Sequence, residues 1–499
     1  MIRHVFDFLD ACAVKFPQKM LFKEMGGGEV GYAAFKRLSE GVASEILRRL
    51  SPSPIQQPVL IILPKSIATL VSFFGVARSG NFYTLLDEKM PLERVRKICE
   101  VLKPSLLITA RDLDLRLDLP TLFVEDFEGF ERDAEALARV QEAHIDTNLL
   151  YVFFTSGSTG VPKGVSITHK SVIDYAFWVA EEFGFGPDCV LANQAPLYFD
   201  NSILDIFPTM KVGGSVHLVP NALFAFPLKV LEYLENEGVN TIFWVPSVLI
   251  YFANTEALAK FKLERLQKVL FCGEIMPNKQ LNYWRTHLPH ALFANLYGPT
   301  EITDVCCFYR VDRAFKDEEI LPIGRACKNT QLLVFDADGN FISPREAGKK
   351  GELFVRGTSL SLGYYNDAQK TRQAFVQNPL HQAFYDPLYK TGDIVAYNER
   401  GELLCYGRVD FQIKFKGHRV ELGEIEAVLN SHPQIKNTAC IFRDEKLIAF
   451  YESEEELNLK AFLKDKLPSY MLPTSLVRVE GFALNANGKI DRKALSEKV

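Results

Sequence analysis
The residues best suited to chemistry in this sequence stand together: Thr155, Ser156, Gly157, Ser158, Thr159 and Gly160, with Lys163 and Gly164 close behind. Glycines let a backbone approach a ligand closely, and its N–H groups, together with hydroxyls, can surround phosphate oxygens. Lys163 adds a point charge. The spacing is not that of the common phosphate loop, Gly-x-x-x-x-Gly-Lys-Ser/Thr, because Gly164 directly follows Lys163. An apolar, β-prone run at 151–154 and an alternating run at 165–168 flank the loop, which predicts strand, tight loop, strand. A flexible hairpin loop would have the same composition, so the loop alone leaves both readings open.

Other stretches carry candidate groups. Asp200 lies between Phe199 and a segment with Ile203, Ile206 and Phe207 on one face, the pattern of a helix N-cap. Residues 269–274 read as a strand running into a turn. Cys272, inside that strand, has no His or Lys nearby in sequence to activate it, so it lines a pocket or fills core rather than acting as a nucleophile. The run Asn295-Leu-Tyr-Gly-Pro-Thr-Glu301 offers an aromatic ring at Tyr297, a hydroxyl at Thr300 and, at Glu301, the oxygen that a hard cation requires. Residues 389–393 are by themselves an ordinary Thr-Gly-Asp turn. Lys489, close to the end, is by position alone a solvated lysine.

These groups need a scaffold to position them. Phe6, Leu9, Ala13 and Phe16 fall at helical spacing, as does the stretch 35–50. Residues 59–63 and 106–109 read as short buried strands, 66–78 as a helix, and 84–94 as a further strand-to-helix step. Such alternation predicts an α/β architecture on largely parallel sheets. Residues 125–143 are acidic and read as a surface linker, and beyond about residue 400 the pattern changes to a compact, charged α+β unit. At 499 residues the chain is too long for one core. Its 47% hydrophobic and 24% charged composition is that of a globular protein, and a net charge of -5 argues against nucleic-acid binding. The most apolar stretch, 58–86, is broken by Lys65 and Arg78, so no membrane span is expected. Nine cysteines without a C-x-x-C pair, and a start broken by charge, predict reduced thiols in the cytoplasm. The nine histidines show no metal-ligand spacing. A monomer is the default.

The whole string 151–169, YVFFTSGSTGVPKGVSITH, resembles the phosphate-binding signature of the acyl-adenylate-forming superfamily: acyl-CoA synthetases, luciferases and the enzymes that load amino acids on carrier proteins. Residues 269–274, 295–301, 389–393, 407–424 and 487–493 resemble its later motifs in the same order, so the likeness covers almost the whole chain. It implies a large N-terminal adenylation domain of layered sheets and helices at 1–409 and a small mobile α+β domain at 410–499, hinged at Asp410. ATP and Mg²⁺ are the implied cofactors. Thr155, Ser156, Gly157, Ser158, Thr159, Gly160 and Lys163 would hold phosphates, with Gly273, Glu274, Asn295 and Tyr297 around the adenine. Asp393 would accept from the ribose hydroxyls, and Arg408 would contact ribose or phosphate. Thr300 would bond a phosphate, Glu301 would hold Mg²⁺, and Lys489 would offset charge developing between the substrate carboxylate and the α-phosphate.

In the superfamily's amino-acid branch, the aspartate in the place of Asp200 binds the substrate's α-ammonium, a fitting partner for a carboxylate taken out of water. The resemblance extends the pocket to Asn201, Leu204, Phe243, Leu270, Cys272, Leu296, Asp304 and Val305. It implies activation of a small amino acid, D-alanine or another, as aminoacyl-AMP. The small domain then turns about Asp410 for transfer to the phosphopantetheine thiol of a carrier protein. An acyl- or aryl-CoA ligase acting on a simple carboxylic acid is the alternative, though it has no need of Asp200. A non-catalytic nucleotide-binding scaffold is a third reading, against which the joint presence of Lys489, Glu301 and Asp393 stands. Residues 271–278, 411–414 and 467–473 read like the D-alanine–carrier protein ligases. With the sequence ending ten residues after Lys489, a free-standing ligase is expected. One departure stands out: Asp304 occupies a place that is aliphatic in those ligases. It meets a polar or cationic substrate group, marks a shifted ammonium position, or turns away to a backbone N–H or an arginine.

Overall fold
The computed structural model describes residues 2–50, 55–157, 161–410, 412–483, 490 and 492–496. The chain divides into two compact units, one of Met1–Asp87, Pro104–Phe153 and Val165–Val409, the other of Glu88–Lys103, Phe154–Gly164 and Asp410–Val499. In the first unit a nine-stranded sheet has a parallel centre: Met20–Glu24, Ser215–Leu218, Val190–Asn193, Thr241–Trp244, Lys268–Cys272 and Leu292–Tyr297, in that spatial order. A second sheet runs Thr121–Phe123, Leu106–Thr109, Pro58–Ile62, Phe82–Leu86, Leu149–Thr155 and Lys163–Thr168. Pro58–Ile62 and Phe82–Leu86 are buried at every position, as strands covered on both faces must be. Helices fill the layers between. Ile67–Arg78 begins where the Ser66 side chain accepts from the Thr69 N–H at 3.2 Å. Asn201–Val212 ends at Gly213, left-handed at φ +78, where a Cβ would strike the Phe16 ring at 2.5 Å.

A third sheet was not legible in the strand–helix alternation. Phe341–Ile342, Thr330–Phe335, Gly351–Gly357, Pro387–Tyr397, Phe375–Gln377 and Leu403–Arg408 pair antiparallel throughout. The expected linker at 125–143 is also more than a linker. It holds a 3₁₀ turn, Val124–Gly129, and a helix, Ala134–Ala143, capped by Asp133 through the Ala136 N–H at 3.0 Å. The acidic surface reading survives in part, since Val140 is the one buried residue of that helix.

Near the N-terminus three buried histidines meet. The His144 ring lies 4.9 Å from His4 and 4.7 Å from His169, and neither His144 nitrogen has a hydrogen-bond partner among the described residues. The Val5 N–H donates to His169 Nδ1 at 3.3 Å, and His4 Nδ1 sits 3.2 Å from Asp7.

In the second unit Gln412–Phe415 and His418–Glu421 form a two-stranded ladder, followed by the helix Leu422–Asn430. Asn437–Arg443 and Lys446–Glu452 pair antiparallel, and Ser475–Val479 adds in parallel. Val420, Ile425, Leu429, Cys440, Leu447 and Met471 make its core. Among the described residues all nine cysteines are free thiols, and no helix is long and apolar enough to cross a membrane.

Candidate functional site
Four parallel neighbours of the large sheet, Val190–Asn193, Thr241–Trp244, Lys268–Cys272 and Leu292–Tyr297, end at the same edge. In open α/β sheets ligands bind in the crevice outside those carboxyl ends. The loop 194–200 leaves the first of these strands, and its base is fastened. Asn193 Nδ2 donates to Asp205 Oδ2 at 2.6 Å and to the Ala195 carbonyl at 3.1 Å, while Lys65 Nζ donates to the Gln194 carbonyl at 2.8 Å. Burial raises the Asp205 carboxyl well above the usual range, opposed by the Asn193 hydrogen bond and the Lys65 charge. The loop delivers Asp200 to the start of the helix Asn201–Val212, where its side chain accepts from the Asn201 N–H at 3.0 Å.

Around this edge Leu204, Phe243, Leu270, Cys272, Leu296 and Val305 are all buried and belong to one apolar cluster, which also holds Tyr151 and Tyr175. Asn201 is half-buried. After Leu292–Tyr297 the chain makes a short turn, Thr300–Ile302, and then two left-handed residues, Thr303 at φ +57 and Asp304 at φ +72. This strained exit leaves Asp304 2% exposed and accepting from the Tyr175 hydroxyl at 2.7 Å. Burial, and then the Asp304 charge, push the Tyr175 phenol far up. The Tyr151 hydroxyl, wholly buried, has no partner among the described residues; burial raises its pKa, and the Tyr83, Asp200 and Asp304 charges raise it further.

A second cluster lies at Asp393. The Tyr297 hydroxyl donates to its Oδ2, and Arg408 donates to Oδ1 at 2.9 Å. Asp393 and Arg408 are register partners on the antiparallel strands Pro387–Tyr397 and Leu403–Arg408, so the ladder itself sets their spacing. Asn295 donates to the Pro322 carbonyl at 2.8 Å, and Glu274 accepts from the Ser247 N–H at 2.9 Å in the first turn of the helix Pro246–Asn254. Gly273 is left-handed at φ +105. Thr300 opens the short turn, and Glu301 beside it is 0% exposed, its Oε1 accepting from Tyr364 at 2.7 Å.

Within the second unit, the loop after Phe154 is packed on residues 419–424. Ser156 Oγ donates to the Arg419 carbonyl at 2.9 Å and accepts from the Glu421 N–H at 3.2 Å. The Gly157 N–H donates to Glu424 at 3.2 Å, and Lys163 Nζ is 3.6 Å from Glu421. Gly157 admits no side chain, because a Cβ would sit 2.0 Å from the Val161 carbonyl oxygen. The Thr155 hydroxyl is buried without a partner among the described residues. Asp410 accepts from the Gln412 N–H at 3.3 Å. Ser158, Thr159, Gly160 and Lys489 lie outside the described residues.

Three side chains of this site had no sequence signal: Tyr175 on Asp304, Tyr364 on Glu301, and Asp205 beneath the Asp200 loop. The first two bonds span 129 and 63 residues, and no local pattern announces either.

Comparison with known proteins adds to this geometry. Residues 9–365 match the AMP-binding enzyme family, and residues 424–489 match the AMP-binding enzyme C-terminal domain. A D-alanine--D-alanyl carrier protein ligase of Listeria innocua is 32% identical over 520 residues, covering 100% of both chains. A mycosubtilin synthase polypeptide of Bacillus subtilis is 32% identical over 94% of this chain, which spans only 18% of that protein. The solved structure of an NRPS protein containing adenylation and PCP domains, bound to a vinylsulfonamide inhibitor, superposes with a TM-score of 0.85 at 25% identity. It covers 100% of this chain and 84% of that one. The chain belongs to the AMP-binding enzyme family, as an adenylate-forming ligase.

Proposed function
We propose that this enzyme activates a small amino acid with ATP as an aminoacyl-AMP and passes the acyl group to the phosphopantetheine thiol of a carrier protein. Asp200 carries the amino-acid part of the reading: a carboxylate at the carboxyl edge of the parallel strands, at the start of a helix whose Ile203 and Leu204 belong to the apolar core, is a partner for an α-ammonium. Full-length similarity to ligases named for D-alanine and a carrier protein supports the transfer step. The nine free thiols support a reducing, cytoplasmic setting.

In this reading Asp393 accepts from the ribose hydroxyls, Arg408 holds its carboxylate in place, and Tyr297 packs against the base. Thr155 to Gly160 and Lys163 bind phosphates, and Lys489 offsets charge as the carboxylate attacks the α-phosphate. Glu301 suits Mg²⁺, being an all-oxygen donor fixed by a phenol. Bound there, Mg²⁺ would supply charge neutralisation of the departing pyrophosphate. Asp410, the last of the places where the chain passes from one unit to the other, serves as the hinge between the half-reactions.

ATP–pyrophosphate exchange with each D- and L-amino acid, beside acetate, benzoate and fatty acids, tests the proposal. Exchange with a small amino acid is expected. Exchange only with acids lacking an amino group would reduce Asp200 to a helix cap and move the enzyme to the acyl-CoA ligases. No exchange at all would refute the activation step.

A further inference from the structure
The ladder between Gly351–Gly357 and Pro387–Tyr397 is interrupted where Asp393 stands. Phe354 faces Lys390 and Glu352 faces Ile394, so Leu353 alone lies opposite Thr391, Gly392 and Asp393. A bulge re-aims a side chain and takes backbone groups out of the ladder, and those groups need partners elsewhere. Side chains supply them here. The Asp393 N–H donates to Thr391 Oγ1 at 3.0 Å, and the Thr391 hydroxyl donates in turn to the Leu353 carbonyl at 2.7 Å. The Gly392 N–H donates to Glu352 Oε1 at 3.1 Å. On the other edge of the strand, the Val409 N–H donates to the Gly392 carbonyl at 2.9 Å. Glu352 is a costly choice for a backbone acceptor: its side chain is 17% exposed, and Lys390 Nζ is 3.6 Å away. Burial raises its carboxyl, opposed by the Lys390 charge and the Gly392 bond.

We propose that Glu352 is a positioning residue for ribose recognition: by accepting from the Gly392 N–H it fixes the bulge that aims the Asp393 carboxylate. This rests on the reading of Asp393 as the ribose acceptor and deepens it. Tyr297 and Arg408 hold the two oxygens of that carboxylate, whereas Glu352 holds the backbone from which it projects. Glu352 therefore acts through the Gly392–Asp393 backbone and not on the nucleotide itself. A hydrogen bond to an ionised acceptor is stronger than one between neutral groups, which suits a turn that the ladder does not support. Small misplacements of a group that must meet its ligand are costly. A site built to bond hydroxyls rejects analogues that lack them, so loosening the bulge should show first as weaker rejection of deoxynucleotides. Glutamine at 352 keeps an acceptor for the Gly392 N–H, and alanine removes it.

The test is calorimetric titration of the full chain with ATP, 2′-deoxy-ATP and 3′-deoxy-ATP, in the parent, Glu352→Ala, Glu352→Gln and Asp393→Asn. Binding is read directly, so the identity of the amino acid does not enter. The readout is the ratio of Kd for each deoxynucleotide to that for ATP. A ratio of about tenfold or more is expected in the parent for each missing hydroxyl. It should fall at least about threefold in Glu352→Ala and stay within about twofold of the parent in Glu352→Gln. A merely structural role would weaken all three nucleotides alike and leave the ratios where they were. Should Glu352→Ala fail to fold, Glu352→Asp, charged but one methylene shorter, takes its place and should show the same fall. Ratios unmoved by the alanine or aspartate variant, or a glutamine variant that falls as far as alanine, would overturn the proposal while leaving Asp393 on the ribose. A parent that binds the deoxynucleotides as tightly as ATP, or an Asp393→Asn variant with the parent's ratios, would overturn the ribose reading instead.

Discussion

The buried histidine trio makes the N-terminal helix acid-sensitive, and the size of the effect follows from the structure. Burial pushes His144 down to about 4, helped by His4 and Arg3 and opposed by Asp7; His169 is held well below its ordinary value by burial, with His144 and His4 adding to it. An unfolded histidine titrates near 6.5. A folded pKa depressed below the unfolded one means that the unfolded chain takes up protons the fold refuses. Stability is therefore complete above about pH 6.5 and is lost as pH falls toward the folded value. Between about pH 7.5 and pH 5.5, His144 alone removes about 1.3 kcal/mol, roughly a tenfold increase in opening. His169 moves in the same direction. The segment that reports it is the helix Phe6–Lys15, whose cap residue Val5 follows His4. Hydrogen exchange of that helix, corrected for intrinsic rates, measures its opening free energy at both pH values in the parent and in His144→Leu, an apolar replacement of similar volume. The variant should lose about 1.3 kcal/mol less on acidification than the parent. Equal losses in the two proteins would show that His144 is not the group being titrated.

Three further outcomes are expected. Tyr364→Phe removes the phenol that fixes Glu301; a hydrogen bond to a charged group is worth about 1.5–3 kcal/mol, so kcat/KM in pyrophosphate exchange should fall roughly tenfold or more, with the Mg²⁺ requirement raised. An unchanged Mg²⁺ titration would sever Tyr364 from that role. Asp205→Asn replaces an acid whose charged form burial disfavours. Because its folded pKa is raised, the unfolded chain sheds a proton above about pH 3.9, so the variant should be more stable at neutral pH, with the gain shrinking toward pH 4 in urea titrations. Gly298→Ala would drive a Cβ to 2.3 Å from the Asp304 carbonyl oxygen and 2.8 Å from Val305 Cα. An overpacking cost of about 1–3 kcal/mol and displacement of Asp304 should lower both the melting temperature and exchange activity.

Much of this molecule could be read from short stretches, because the signals there are local. The strand Leu106–Thr109 came out at its predicted bounds, and the helix Ile67–Arg78 starts one residue after the predicted Ser66, which is its cap. Asp200 was expected as a helix N-cap and is one. The antiparallel sheet escaped because its strands, such as Thr330–Phe335 and Pro387–Tyr397, are separated by irregular connections, with just the short helix Ala368–Ala374 between them to punctuate the pattern. Asp304 illustrates the limit at the site. Its departure from the aliphatic pattern could be seen in sequence, but its partner is a phenol from a distant helix, His169–Glu182, which no spacing rule links to it. Tyr364 escaped for the same reason.

The fastening beneath the Asp200 loop has a consequence for ionic strength. Asn193 and Asp205 are joined wholly inside the protein, where burial disfavours the charged form of the acid. At physiological salt, interactions between exposed charges fade beyond about 8 Å, and surface ion pairs weaken as salt is added. A clasp sealed inside the protein, like buried pairs generally, is screened far less by dissolved ions than one at the surface. The loop that presents Asp200 should therefore hold the same shape in dilute buffer and in brine. Any salt dependence of amino-acid recognition would then come from the charged partners themselves rather than from the ground on which they stand.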